Sequence, residues 1–325
     1  MRSTLRIVAL LIAAAGVAAC ANPFRGVRHA EHLPSPTEIA ELWSDPGDTR
    51  QDVFYGAGGA ALVPSPDVRY EFVDRDTTGF SRGYDVRDPQ GRLWSVKLGV
   101  EARPEVVVSR VLWAVGYHQH PTHYVRRWTL VGGGTPGPQL AARFRLKPEA
   151  DRKVGEWSFF DNPFVDTPPY RGLLSILLIL NSYDLADSNN ALYDVSPAAG
   201  GVSRWYVVKD TGGALGGPKA PFGFMRSGTK DDIDGFETTG FVKGFDGRRA
   251  ELTYKGRYYR NLYDRHEVSD IRWVCDRLGR ITDAMWQDTF RAAGYSPETA
   301  TRYIRKIHEK LDAAQQGALR ASVEP

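Results

Sequence analysis

The stretch from Leu173 to Gly213 constrains this chain more than any other. It opens with LLSILLIL, apolar on almost every side when wound as a helix, so that helix must lie inside a lobe larger than itself. Pro168 and Pro169 mark its start, because proline suits the first turn of a helix and no later one. A polar loop follows, NSYDLADSNN, with Asp184 and, five residues on, Asn189. The run RWYVVKDTGG then reads as a short β-rich segment delivering Asp210, Thr211 and Gly212. Two carboxylates and an amide thus sit on loops carried by buried elements. That donor set suits a divalent cation and a phosphoryl group, since Mg²⁺ takes one or two carboxylates and leaves its other positions to phosphate oxygens. By itself DLADSNN is also an ordinary Asx-type turn.

Upstream, residues 68–98 alternate with the period of strands: VRYEFVDRD, then YDVRD, then RLWSVKLG after a Pro-Gln-Gly turn. The last strand ends on Lys97. EARPEVVVSRVLWAVG then predicts a helix from Pro104 to Val115, with proline at the first position, Val107, Val108, Val111 and Leu112 on its apolar stripe, and Gly116 as its stop. Glu105 lies at the edge of that stripe. A buried lysine requires a compensating charge, so Glu105 is the expected partner of Lys97, with Glu101 as the alternative. Equally open is a solvated edge lysine beside a first-turn glutamate favoured by the helix dipole. The loop TTGFSRG, carrying Gly79 and Gly83, is either a hairpin turn or a glycine loop covering phosphates.

Lys97, Glu105, Asp184, Asn189 and Asp210 together resemble, in order and spacing, the protein-kinase-like superfamily. SYDLADSN is similar to the catalytic loop H-R-D-L-x-x-x-N, and DTG stands where D-F-G would be. Ser182-Tyr183 replaces His-Arg, Ala186 replaces the usual lysine, and about twenty residues separate Asn189 from Asp210. These departures resemble the atypical branches: phosphatidylinositol kinases, HipA-type toxin kinases and spore-coat kinases. The resemblance spans roughly residues 65 to 265. It implies an α+β, two-lobed kinase-like fold, with a small, mainly antiparallel β lobe carrying one helix and a larger, mainly helical lobe. It also implies ATP and Mg²⁺ as cofactors. Lys97 would lie on the α- and β-phosphates, steadied by Glu105, and Asn189 and Asp210 would hold the metal. Asp184 would take the proton of an acceptor of unknown identity.

The N-terminus reads as a targeting segment: Arg2 and Arg6, the apolar run IVALLIAAAGV, and small residues ending on Cys20. This pattern resembles the lipobox of bacterial lipoproteins, and the apolar run falls short of the roughly 20 residues that span a bilayer. An ordinary secretory signal is the alternative. Lipidation at Cys20, with Ala21 next, implies a palmitate-bearing envelope protein anchored in a membrane and facing the periplasm, the outer membrane being favoured. Cys275 is then the remaining thiol, which excludes an internal disulfide, and its place in IRWVCDRL marks it as a small buried residue. The boundaries follow: a signal peptide over 1–19, a tether and docking segment over 20–65, an N-terminal β-rich lobe over 66–150 and a C-terminal helical lobe over 151–325. With 42 basic and 39 acidic residues, no strong field invites nucleic acid, and nothing in the chain specifies an oligomeric state.

His118, His120 and His123 in GYHQHPTHYV read as a solvated loop, with zinc as the alternative. KPEADRKVGEW reads as a polar hinge or insert. Lys219, Arg226 and Lys230 lie in a glycine-rich segment placed like an activation loop, where they either meet substrate phosphate or are simply solvated. FDGRRAEL is a hairpin turn, three helices follow, and the tail past Gln316 reads as disordered. Two functions of different class remain. One is an ATP-dependent phosphotransferase. The other is an inactive kinase-like lipoprotein that binds a nucleotide or scaffolds the envelope, since ATP is scarce outside the cytoplasmic membrane. Replacing Cys20 with serine is expected to abolish incorporation of a radiolabelled fatty acid. Equal labelling of wild type and variant would rule out the lipid anchor.

Overall fold

Period-two alternation builds the small lobe. In the computed structural model, which describes residues 25–47, 52–76, 83–133, 135–196, 201–218, 228–254 and 258–322, seven strands form one sheet. They are β1 (Arg69–Asp76), β2 (Gly83–Arg87), β3 (Leu93–Leu98), β4 (Thr122–Val125), β5 (Trp128–Val131), β6 (Gly137–Gln139) and β7 (Ala142–Lys147). Their order is β4-β7-β3-β2-β1-β5-β6, antiparallel except between β1 and β5. Trp94 and Val96 on β3, Val86 on β2 and Phe144 on β7 turn to one face, where they meet Tyr70 and Trp128 in an aromatic core. The intervening residues necessarily turn to the other face. There the register sets Asp85 opposite Ser95, Ser95 opposite Arg145 and Lys97 opposite Arg143. One sheet therefore has an apolar face and a charged one.

Two helices precede the large lobe. The short α1 (Pro36–Ile39) has a capping box between Ser35 and Glu38. The second, α2 (Ala102–Ala114), packs on β4 and β7 with one side. Its valines Val106, Val107, Val108 and Val111 join the core of the large lobe rather than that of the sheet. It is therefore shared by the two lobes. The segment before β1 is laid over this junction: Leu42 is buried, the Trp43 indole donates to the Val115 carbonyl at 2.7 Å, and Tyr206 N–H donates to the Glu41 carbonyl.

The large lobe centres on α3 (Pro168–Ile179), which begins with the Thr167 hydroxyl accepting from Tyr170 N–H and has every residue from Leu173 to Ile179 buried. Around it lie α4 (Ile233–Glu237), α5 (Val268–Gly279), α6 (Asp283–Ala292) and α7 (Pro297–Ala321), with Thr282 and Ser296 capping α6 and α7 as their sequences predict. The FDGRRAEL turn joins β11 (Val242–Asp246) to β12 (Arg249–Leu252). Cys275 is buried on α5, and burial pushes its thiol up to about 12. The α+β architecture and its two lobes agree with the expectation from sequence. No helix among the described residues is long and apolar enough to cross a membrane. Residues 1–24, and with them the signal segment and Cys20, lie outside the described residues.

Two expectations are corrected. The polar segment after Pro148 is not merely a hinge: β8 (Arg152–Gly155) adds to β9 (Asn190–Asp194) and β10 (Arg204–Val208) in a second antiparallel sheet. The tail past Gln316 is helical to Ala321, because its small residues let α7 lie close on β11. Ala314 and Ala318 are fully buried, and a Cβ at Gly317 would stand 2.6 Å from the Phe245 ring. Ala318→Asp should therefore destabilise the fold by more than about 2 kcal/mol by burying a carboxylate without a partner. Gln316→Asp, on the exposed face, should stay within about 0.5 kcal/mol. Urea unfolding of the two variants checks this, and equal midpoints would mean the tail does not pack.

Candidate active site

Where α2 meets the charged face of the sheet, Glu105 is buried with 1% of its side chain exposed. One carboxylate oxygen lies 3.2 Å from the Lys97 ammonium, and the other 2.7 Å from Arg143 Nε and 2.9 Å from an Arg145 terminal nitrogen. Lys97 also reaches Glu101 at 3.2 Å and Asp210 at 2.6 Å. It is not a solvated edge lysine, since only 12% of its side chain is exposed. Both candidate partners, Glu105 and Glu101, are in contact with it. Burial alone would lower the Lys97 pKa, but Glu105, Asp210 and Glu101 outweigh that and raise it, so Lys97 carries its charge. The Asp210 carboxyl shows the counterpart. Burial works to raise it, and the Lys97 ammonium with Arg145 and Arg143 holds it down at about 2.

The arginines Arg143 and Arg145 escaped the sequence reading. Their signal was present in ARFRLK, where cations alternate with the apolar Ala142, Phe144 and Leu146, but only the register shows that they face Lys97 and Ser95. Arg145 does more than balance Glu105. It donates to the carbonyl of Lys209, the residue before Asp210, and so ties the sheet to the segment that carries the second carboxylate.

Asp184 and Asn189 reach the same region from the end of α3. Asn181 takes a left-handed conformation at φ 56°, its N–H donates to the Leu178 carbonyl and Ser182 N–H to that of Leu177, the bond pattern of a Schellman stop. That stop turns the chain out of the helix. The loop is then closed by Asn189, whose amide nitrogen donates to the Asp184 carbonyl at 2.9 Å, leaving its side-chain oxygen as an acceptor. Lys209 and Asp210 N–H both donate to the Asn189 carbonyl at 3.0 Å, so Asn189 and Asp210 are held together through the backbone. Asp184 Oδ1 is buried without a hydrogen-bond donor among the described residues. Gly212 lets the chain pass Glu101, since a Cβ there would stand 2.5 Å from the Glu101 Cβ.

Beside these residues opens a cleft of about 520 Å³ between the two sheets. Arg75, Arg145, Lys147, Lys153 and Lys209 line it, opposed by Asp74, Asp85 and Asp151. Lys147 pairs with Asp85 and His120 with Asp151, which leaves an excess of positive charge near Lys209. Burial, then Arg145 and Lys153, push the Lys209 ammonium down to about 8. An anion in the cleft would relieve that repulsion.

Of the other candidates, Gly83 and Lys230 lie beside this cluster and the histidines do not. Gly83 opens β2 opposite Lys97, whereas Gly79 lies outside the described residues, as do Lys219 and Arg226. Lys230 is an ion-pair partner of Glu101. The histidine loop is not solvated, because it threads between the lobes: His120 and His123 are buried, His118 stacks on Trp205 at 4.6 Å, and His123 meets Arg110. They face different partners, and no group of three metal-ligating His, Cys, Asp or Glu side chains occurs among the described residues.

No protein-family model matches the chain, and no curated protein matches it. Among solved structures it is similar to the crystal structure of a Helicobacter pylori proinflammatory kinase, CtkA, with 11% identity, coverage of 80% of this chain and 100% of that one, and a TM-score of 0.45. At that similarity nothing of the neighbour's chemistry transfers to this chain.

The depressed Lys209 pKa has a sign that can be measured. Unfolded, the ammonium titrates near 10.4, so between about 8 and 10 the unfolded chain binds more protons than the folded one and stability rises with pH. Thermal unfolding of the ligand-free protein should show this increment in wild type and lack it in Lys209→Met. Parallel pH profiles would mean Lys209 is not held among other cations.

Proposed function

We propose that this chain is a Mg²⁺-dependent phosphotransferase of kinase-like type that moves the γ-phosphoryl group of ATP to a hydroxyl acceptor. One observation carries the reading: Lys97, on a strand of the small lobe, is held at once by Glu105 of α2 and by Asp210 of the large lobe, while Arg145, which shares Glu105, and Lys209, which precedes Asp210, line the neighbouring cationic cleft. A lysine fixed by a helix glutamate beside a strand-end aspartate is the arrangement that kinase chemistry uses for nucleotide phosphates.

The donors fit the metal. Asp210 keeps one carboxylate oxygen beyond the one bound to Lys97, and Asn189 keeps its amide oxygen. These are oxygen ligands in the small number that Mg²⁺ draws from protein when phosphates supply the rest. Bound there, the ion would neutralise charge on the phosphates. Lys97, Arg145 and Lys209 would orient the phosphate chain within the cleft. The acceptor oxygen attacks the γ-phosphorus, the bond from that phosphorus to the β,γ-bridging oxygen breaks, and ADP leaves with the electron pair. The acceptor proton passes to Asp184. Asp184 is half-buried and sits in the loop closed by Asn189, a position suited to a carboxylate that meets the acceptor hydroxyl. The N-terminal segment would anchor this chemistry to a membrane through a lipidated Cys20.

Asp210→Ala should weaken Mg²⁺-dependent binding of a fluorescent nucleotide. Asp184→Ala should bind it nearly as wild type does yet lose phosphoryl transfer, read as ADP release, by about 10² or more. Unaltered Mg-nucleotide binding in Asp210→Ala would remove the metal role. Nucleotide binding by wild type without any turnover would favour the inactive scaffold instead.

A further inference from the structure

A second pocket, of about 410 Å³, lies behind α2 and shares no lining residue with the front cleft of Arg145 and Lys209. Four arginines line it: Arg110 from α2, Arg126 and Arg127 after β4, and Arg291 from α6. No carboxylate is among its lining residues, and its remaining wall is largely apolar, with Phe54, Pro64 and Pro66 supplied by the segment before β1.

Arg110 is the unusual member. Only 1% of it is exposed, and no carboxylate lies within ion-pair distance of it among the described residues. Among the described residues its side chain has one hydrogen bond, to His123 Nδ1 at 3.2 Å, and its buried Nε has no partner. His123 supplies no charge, because burial, with Arg110 and Arg92, pushes its imidazole down to about 3. Burial likewise lowers Arg110 itself to about 9, with Asp52 too weak to offset it. The backbone closes over the guanidinium so tightly that a Cβ at Gly56, where φ is +69°, would stand 2.3 Å from its Nη1. A buried guanidinium left without an anion is among the costliest arrangements a core can hold, and truncation to an apolar side chain would remove the cost.

We propose that this rear pocket binds a small phosphorylated ligand, whose phosphoryl oxygens meet Arg110 at the base and Arg126 and Arg127 at the rim. Three guanidinium groups without a carboxylate partner among the described residues exceed what one carboxylate would neutralise, and their planar forks match phosphate oxygens two at a time. Arg126 and Arg127 are exposed, neither has a carboxylate within ion-pair distance among the described residues, and Arg126 has a long 3.5 Å hydrogen bond to the Gly294 carbonyl, so both can turn to such a ligand. Arg291 already pairs with Asp288 and stacks over Phe54 at 4.1 Å, which fits it for a wall rather than a contact. The site is separate from the nucleotide cleft and stands whether or not the chain transfers phosphate.

Pyrophosphate is the probe, titrated calorimetrically into the full chain. Because the front cleft is also cationic, a Lys153→Ala/Lys209→Ala variant isolates the rear pocket. That variant is expected to keep one saturable binding event. Adding Arg126→Glu and Arg127→Glu, both at exposed positions, should weaken it by at least about tenfold. Arg110→Met should abolish it while leaving the ligand-free melting temperature unchanged or higher, since a buried charge has been removed. Absence of saturable binding in the front variant would overturn the proposal. Undiminished binding after the arginine replacements would do the same, as would an Arg110→Met protein that melts lower yet binds pyrophosphate normally.

Discussion

The carboxylate of Glu105 is the interaction on which the two lobes depend. It is buried and shared by Lys97, Arg143 and Arg145, three cations brought to it by adjacent strands. A lone buried carboxylate would be protonated or exposed, and three buried cations without it would repel one another. With Glu101 and Asp210, which also contact Lys97, they form a set of three cations and three carboxylates. Through it α2 is fixed to the sheet. Two of the same cations then reach the large lobe, Lys97 at Asp210 and Arg145 at the Lys209 carbonyl. The position of the strand-end aspartate relative to the lysine is thus set by the same group that seats the helix.

Much of this was legible in the chain. The helix starts were written in Pro168, Ser296 and Thr282, and the hairpins in their turn residues, because caps and turns are local chemistry. Lys97 and Glu105 could be proposed as partners because a buried lysine requires a compensating charge, whereas Asp210 entered as a candidate metal ligand and its contact with Lys97 was not foreseen. Arg143 and Arg145 were invisible for a different reason. Which residue stands opposite Lys97 depends on strand register, and the connection from β3 to β7 passes through a helix and three other strands. The histidine loop misled by its polarity. Its side chains are buried because the loop threads between the lobes, and burial of that kind has no local signature. The α7 tail misled by its alanines and glycine, which look like weakened helix and serve as close packing against Phe245.

The loop with Asp184 and Asn189 shows how a local motif gains precision from distant residues. The Schellman stop at Asn181 is encoded within a few positions, yet an isolated stop of this kind would leave Asn181 free to rotate. Here its amide is committed on both sides: the nitrogen donates to the Gly216 carbonyl and to Thr239, and the oxygen accepts from Lys310 at 3.0 Å.

Lys310 joins the loop to α7 and does so without behaving as an ordinary lysine. It is 3% exposed, donates to the Ile179 carbonyl at 2.7 Å and stands 3.9 Å from the centre of the Phe236 ring. A cation near the C-terminus of a helix is favoured by the helix dipole and by an aromatic face. Burial nevertheless pushes its pKa well below the usual lysine range, with Lys306 adding to the effect. Its stable contribution is therefore the pair of hydrogen bonds, which satisfy a helix-end carbonyl that has no partner within α3. The consequence reaches the site. Residues that hold Asn181 determine where the chain leaves α3, and three positions later that exit carries Asp184. The long C-terminal helix, which from its sequence could be taken as padding, thereby acts as the buttress behind the polar loop.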